Sequence, residues 1–304
     1  MALRPASDND PQPGTSPVRL AGSLVLAVAI GSSVACSGGA SPSPSPGPID
    51  GAGFVLRASI SQALPPDSTF AWLPSAVITA DGRLISVGPV DAIFPGPLLP
   101  NLVERSISQA GWGAIVNAAR KAGLLSGQSD FTGGAAAPGA ALGHLVLVVE
   151  GRTYDLTGDL TLPPCAPPGC GPAGPGTQRA FAEFFLTLGD LASWIGPELG
   201  LERPYVAAAY AILVGPPAAD QGLVQPAIAW PLGGKLEAFG RPIAAGDGRR
   251  CGVVGEADAV TLRPALQSAT SISRWVDSGT TGAGSGLVVR PLLPGDTDPC
   301  AGLL

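Results

Sequence analysis

The spacing of apolar positions changes along this chain, and each change marks an element. Residues 53–60 (GFVLRASI), 74–80 and 83–88 have the short apolar or alternating pattern of strands, and Asp81-Gly82 predicts a hairpin turn between the last two. After the loop FPGPLLPNL (94–102) the period becomes helical from near Ser108, with Trp112, Ile115, Val116 and Ala119 on one face. Gly123 is placed to end that helix in a left-handed cap, with Leu124 folding back. Strands are expected at 143–150 and 153–157, joined at Gly151-Arg152. A second helix is capped by Thr177, carries the stripe Phe181, Phe184, Phe185, Leu188, Leu191, Ala192 and Ile195, and stops at Gly196-Pro197. An aromatic stripe of this kind reads as core rather than as a ligand surface. Strand-like 204–214, the segment 227–240, a helix at about 261–270 and strand-like 271–276 and 286–293 complete the chain.

The order strand, hairpin, helix, strand pair therefore occurs twice. Gly82-Arg83-Leu84-x-x-x-Gly88 recurs 152 residues later as Gly234-Lys235-Leu236-x-x-x-Gly240. The expected fold is α+β: two related units of antiparallel strands, 51–160 and 201–304, each with a packed helix. The Phe-rich helix within 161–200 would bridge them. Chance recurrence of common turn signals is the alternative.

The first 50 residues have a different character. Arg19 precedes the apolar run Leu20–Ile30, which passes through Gly31-Ser-Ser33 to Val34-Ala35-Cys36. A basic flank, a short apolar core and small residues before a cleavage point make residues 1–35 a secretory signal peptide. The run is short for a spanning helix, which needs about 20 apolar residues. An uncleaved anchor helix, or ordinary secretory cleavage with Cys36 incidental, are the other readings. Residues 36–50 are rich in Ser and Pro, a composition that favours an extended, solvated tether.

Composition narrows the possible partners. The net charge is −6 and the largest basic cluster is Arg249-Arg250, so an acidic surface would repel phosphate backbones and nucleic acid is not expected. Gly and Pro supply a quarter of the residues, much of it in the tether and the loops. Apart from Cys36 there are four cysteines, an even number that suits an oxidising location. Of the three possible pairings, locality favours Cys165–Cys170 and Cys251–Cys300. A redox pair or metal site is the alternative, but the only histidine is His144 and no second two-Cys knuckle exists.

Searching for chemistry yields little. His144 begins a strand, where a structural role remote from any Ser–Asp pair is expected. GAGSG (282–286) lacks the register of a nucleophile elbow. Gly169-x-Gly171-x-x-Gly174 matches a dinucleotide fingerprint in letters, but Cys170 and Pro172 stiffen that turn. The pairs Asp155/Asp159 and Asp296/Asp298 could hold calcium or do acid/base work, though solvated acidic turns are the simpler reading. No catalytic residue, cofactor or metal emerges.

Two resemblances add to this reading. Val34-Ala35-Cys36 resembles the lipobox of bacterial lipoproteins, with Ser33 where Leu is usual. The resemblance implies a diacylglyceryl group on the Cys36 sulfur, cleavage before that residue, and an extracytoplasmic, membrane-anchored location. The body is similar to a group of uncharacterised envelope lipoproteins of high-GC bacteria through FPGPLLPNL (94–102), AARKAGLL (118–125) and VVRPLLPGDTDPC (288–300). No activity is known for that group, so the resemblance implies no catalytic residue.

The sequence thus suggests a lipid-anchored, non-enzymatic module that binds an envelope protein or polymer. A small-solute-binding lipoprotein and a carboxylate-dependent hydrolase are the alternatives. Peptide mapping without reductant should show Cys165 linked to Cys170 and Cys251 to Cys300, with no free thiol. A peptide joining Cys165 to Cys251 or Cys300 would overturn that pairing.

Overall fold

The computed structural model describes residues 53–61, 66–134, 139–161, 173–218, 223, 225–244, 247–280 and 284–303. Cys36, the tether, Cys165 and Cys170 lie outside these residues. The class is α+β.

Alternation along β1 (Phe54–Ser61) and β6 (Leu142–Val149) sends Leu56, Ala58, Leu145 and Leu147 to one face, where all four are fully buried. From β1 the sheet extends one way through β2 (Ala76–Thr79), β3 (Arg83–Val87), β4 (Leu102–Ser106) and the short β8 (Arg203–Pro204). The other way it runs through β6 and β7 (Arg152–Asp159) to β5 (Asp130–Phe131), whose pairing with β7 is its one parallel ladder. Gly82, with φ +79°, makes the tight β2–β3 turn, and Glu150-Gly151, both at positive φ, make the turn from β6 to β7.

Helices cover the buried face. Ser108 caps α2 (Gln109–Lys121), its Oγ accepting from the Gly111 amide at 3.1 Å, and Ile115, Val116 and Ala119 point inward. The Leu124 amide returns to the Ala119 carbonyl at 3.0 Å. Gly123 has φ +76°, and a Cβ there would lie 2.4 Å from the Gly176 amide nitrogen, so both conformation and space demand glycine. Thr177 caps α3 (Gln178–Thr187) as expected. Its Phe181 ring rests on bare backbone: Gly143 and Gly158 face each other across β6 and β7, and a Cβ on Gly158 would come within 2.3 Å of the ring. Phe181 stacks on Phe131 and Phe185 at 5.4 and 5.9 Å between centroids.

Two expectations about this helix are corrected. Residues 178–195 are not one helix: a 3-10 turn at Leu188–Asp190 separates α3 from α4 (Leu191–Ile195), which Asp190 caps by accepting from the Ser193 amide. The Ser193 hydrogen bonds hold the Asp190 carboxyl below its usual range. Nor does α3 bridge two units. Phe181, Phe184, Phe185 and Leu188 all belong to the core of the first sheet, where Gly143 and Gly158 leave room for the Phe181 and Phe185 rings.

A second antiparallel sheet has the order β11 (Arg241–Pro242), β12 (Arg250–Val254), β9 (Tyr210–Gly215), β14 (Gly286–Pro291). Both faces of β9 are buried. Tyr210, Ile212 and Val214 meet α5 (Glu256–Ser268) through Ala259, Leu262 and Leu266, alongside Trp230 and Trp275. Ala211 and Leu213 meet Ile243, the cystine and Phe70 of α1 (Pro66–Ala71). A parallel pair, β10 (Ile228–Ala229) with β13 (Trp275–Val276), brings Trp275 to Trp230, the residue after β10, and the two rings pack edge to face. The helix begins at Glu256 rather than near 261, since tertiary packing carries it through Pro264.

The internal repeat does not extend to topology. In the first sheet the strand before the helix, β4, is separated from β1 by β2 and β3, whereas β12 pairs directly with β9. Gly82 closes a hairpin, but Gly234, also at positive φ, leads into a 3-10 turn at Leu236–Ala238. A glycine at positive φ serves many turns, so the shared motif reports local backbone need and not common architecture.

The sheets meet at a polar seam. Arg57 of β1 and Arg290 of β14 both donate to Oδ1 of Asp296, the latter at 3.0 Å, while Oδ2 accepts from the Leu293 amide at 2.8 Å. The Asp296 side chain is 4% exposed. Beside it Leu293 packs on Phe54, Val77, Ile85 and Leu102, the second face of the first sheet. Cys251–Cys300 then fastens residues beyond β14 to β12, closing a separation of 49 residues, on the order of 4 kcal/mol by chain entropy.

Replacing Asp296 by Ala would leave two guanidinium groups with no counter-charge, and should cost about 3–5 kcal/mol in urea unfolding. Glu202→Ala, which removes only an exposed partner of Arg105, should cost no more than about 1 kcal/mol. Equal effects would show that burial of the seam carboxylate is unimportant.

Candidate functional site

His144 is not remote from Ser and Asp, as the sequence reading expects. Its Nε2 lies 2.7 Å from Oδ1 of Asp155 on the neighbouring strand, and Ser59 of β1 is its direct cross-strand partner. Strand periodicity places all three on one face, a juxtaposition invisible until β1, β6 and β7 are known to be adjacent. The arrangement is not that of a hydrolase. No hydrogen bond joins Ser59 to His144 among the described residues, and Asp155 occupies the nitrogen that would take a nucleophile's proton in a triad. Imidazole and carboxylate are 44% and 68% exposed, so solvent screens their interaction.

The carboxylate pairs separate in the same way. Asp155 and Asp159 stand four residues apart on one strand, roughly 13 Å, beyond the separation that two-carboxylate hydrolysis uses. Asp159 instead accepts from the Thr161 amide at 2.7 Å. Asp296 belongs to the seam, while Asp298 pairs with Arg241 at 2.7 Å and caps the Cys300 amide at 2.9 Å. Among the described residues no group of three His, Cys, Asp or Glu side chains could hold a metal. Gly169 and Gly171 lie outside the described residues, and the Gly174 carbonyl accepts from the Thr177 hydroxyl at 2.8 Å. Ser285 spends both backbone groups on Trp275.

Of several concave features among the described residues, one lies at the seam. The proline-rich loop crosses from the first sheet to the end of α5. The Leu98 amide donates to the Ala269 carbonyl at 2.9 Å, and the Ser271 amide to the Gly96 carbonyl at 2.9 Å. Leu98 and Leu99 pack against the core of the second sheet. Prolines 95, 97 and 100 have no amide to offer, so this loop is held by its few remaining donors and by its side chains. Between it, the 204–207 connection and α5 opens a cleft of about 290 Å³. Pro97, Leu99, Pro204, Val206 and Leu266 form its apolar walls.

Polar groups in the cleft are few. Arg263 of α5 donates through Nε to the Tyr210 hydroxyl at 3.3 Å and through Nη2 to the Ala207 carbonyl at 3.1 Å. Its Nη1 has no hydrogen-bond partner among the described residues. Asn101 uses its amide nitrogen on the Pro89 carbonyl at 2.8 Å, and Gln267 stands at the mouth. Burial pushes the Tyr205 phenol above its usual range, and its hydroxyl donates to the Leu292 carbonyl at 3.4 Å. Among the described residues no Asp or Glu lines the cleft. Sequence reasoning missed Arg263 and the tyrosines because they converge from segments far apart in the chain; the proline density of 95–100 was the one available signal.

His144→Ala should change the free energy of unfolding by less than about 1 kcal/mol, as for other exposed pairs. A loss above about 2 kcal/mol would show that the His144–Asp155 contact carries more than an exposed pair can. Comparison of the chain with protein-family models, with curated proteins and with solved structures finds no match, so its function is argued from its own geometry.

Proposed function

We propose that this chain is a lipid-anchored extracytoplasmic protein whose folded part is a non-enzymatic binding module of the cell envelope. The anchor would be Cys36, outside the described residues, with residues 36–50 as the tether. Two or three acyl chains, at about 0.8 kcal/mol per buried methylene, suffice for stable attachment without a spanning helix. The Cys251–Cys300 disulfide is the kind of bond that persists in an oxidising compartment. The observation that carries the binding reading is the seam cleft, a concave apolar surface with a few convergent polar groups. Its concavity also supports the second reading, a small-solute-binding lipoprotein, though its volume is at the lower edge of small-molecule sites.

Replacing Cys36 by Ala should shift the protein from the detergent phase to the aqueous or unprocessed fraction. Protease added to spheroplasts should remove the folded part of the wild-type protein. Wild-type partitioning of the variant would place the anchor elsewhere, and protection from protease would place the domain inside the cell.

A further inference from the structure

We infer that the seam cleft is a binding site for an apolar monocarboxylate, with Arg263 as its counter-ion. This rests on the cleft being the module's binding face, but not on the lipid anchor. The first observation is charge. The chain has 23 acidic and 17 basic residues, yet among the described residues the cleft is lined by one guanidinium and no carboxylate. Arg263 is the one charged group that an anion in the cleft would touch among the described lining residues.

The second observation is preorganisation. Tyr210 and Ala207 fix Arg263 through Nε and Nη2, so little side-chain entropy remains to be lost when Nη1 takes a ligand oxygen. Asn101, which spends one amide hydrogen on the Pro89 carbonyl and keeps a second, and Gln267 bring neutral N–H donors to the same cleft.

The third observation is composition of the walls. Leu99, Leu266, Pro97, Pro204 and Val206 suit a hydrocarbon body and cannot solvate a second charge. A phosphate monoester carries about −1.5 to −2 near neutral pH, and one cation would leave part of that charge unpaired among carbon atoms. A carboxylate matches the site in charge and in its planar fit to a guanidinium. At roughly 30 Å³ per water-sized atom, the cleft admits about ten heavy atoms, the size of phenylacetate.

Isothermal titration of the full chain tests this with phenylacetate, neutral phenylacetamide, phenethylammonium and phenyl phosphate. Phenylacetate should bind one to one with a Kd below about 1 mM, and each of the others at least about tenfold more weakly. Arg263→Gln should abolish binding. Because Arg263 also holds Tyr210 and Ala207, Val206→Asp supplies the cleaner variant: this side chain is 58% exposed at the mouth, and its new charge should weaken binding at least about tenfold with an unchanged urea midpoint. A short apolar peptide with a free C-terminus, compared with its amide, separates the sources. Tighter binding of the free peptide than of phenylacetate assigns a peptide terminus, and the reverse assigns a free acid. No saturable binding at 10 mM phenylacetate, equal affinity for phenylacetamide, or an unaffected Val206→Asp variant would overturn the inference. Detergent partitioning of the Cys36→Ala variant would be unmoved by any of these results.

Discussion

One buried carboxylate holds the two sheets in register. Asp296 receives a guanidinium from each sheet, and the Leu293 amide satisfies its second oxygen. The remaining donors go to backbone: Arg57 to the Pro294 carbonyl and Arg290 to the Phe70 carbonyl, both at 3.3 Å. Arg290 Nε has no hydrogen-bond partner among the described residues. Such a cluster adds little net stability over an apolar contact, because desolvation offsets most of the Coulomb gain. What it contributes is position. An apolar seam could slide, whereas a carboxylate between two guanidinium forks has one satisfactory arrangement.

The cleft inherits that position. Pro291 follows Arg290 on β14 and lines the cleft floor with Tyr205 and Tyr210. The proline-rich loop is pinned to the far end of α5 by backbone hydrogen bonds. Each wall therefore comes from an element already fixed by a core or by the seam, and the guanidinium within it is held by two hydrogen bonds. The His144–Asp155 pair shows the contrast. It sits on a solvated part of the first sheet's second face, away from the seam, so the same residue types that make catalytic groups elsewhere make a water-exposed contact here.

Local pattern was legible where one periodicity dominated. The strands near 54–60, 76–79, 83–87, 142–149 and 286–291, and the caps Ser108 and Thr177, follow from alternation, turn glycines and hydroxyl placement. β4 escaped because LVERS offers only two apolar residues before its charges, and α5 was begun late because Pro264 weakens a helical reading. Phe181, Phe184 and Phe185 read correctly as buried, but their destination did not. That depends on Gly143 and Gly158 facing each other, a pairing across strands that no single segment displays. Arg263, Tyr210 and Asn101 converge only once the sheets are docked, so the cleft was out of reach from sequence.

The order in which the chain is made matters for these contacts. β14 is the edge partner of β9, Leu293 fills the second face of the first sheet, Arg290 and Asp296 complete the seam, and Cys300 closes the cystine. All of these residues come last among the described elements, and their partners lie as many as 239 residues earlier. A growing chain can collapse α2 and α3 onto the first sheet, but it cannot dock the two sheets until residues 286–300 have been delivered. Until then Arg57 lacks its carboxylate and both inner faces stay open. A polypeptide built this way remains incompletely folded for nearly the whole of its synthesis, and its last strand, rather than its first sheet, sets the moment at which the fold can close.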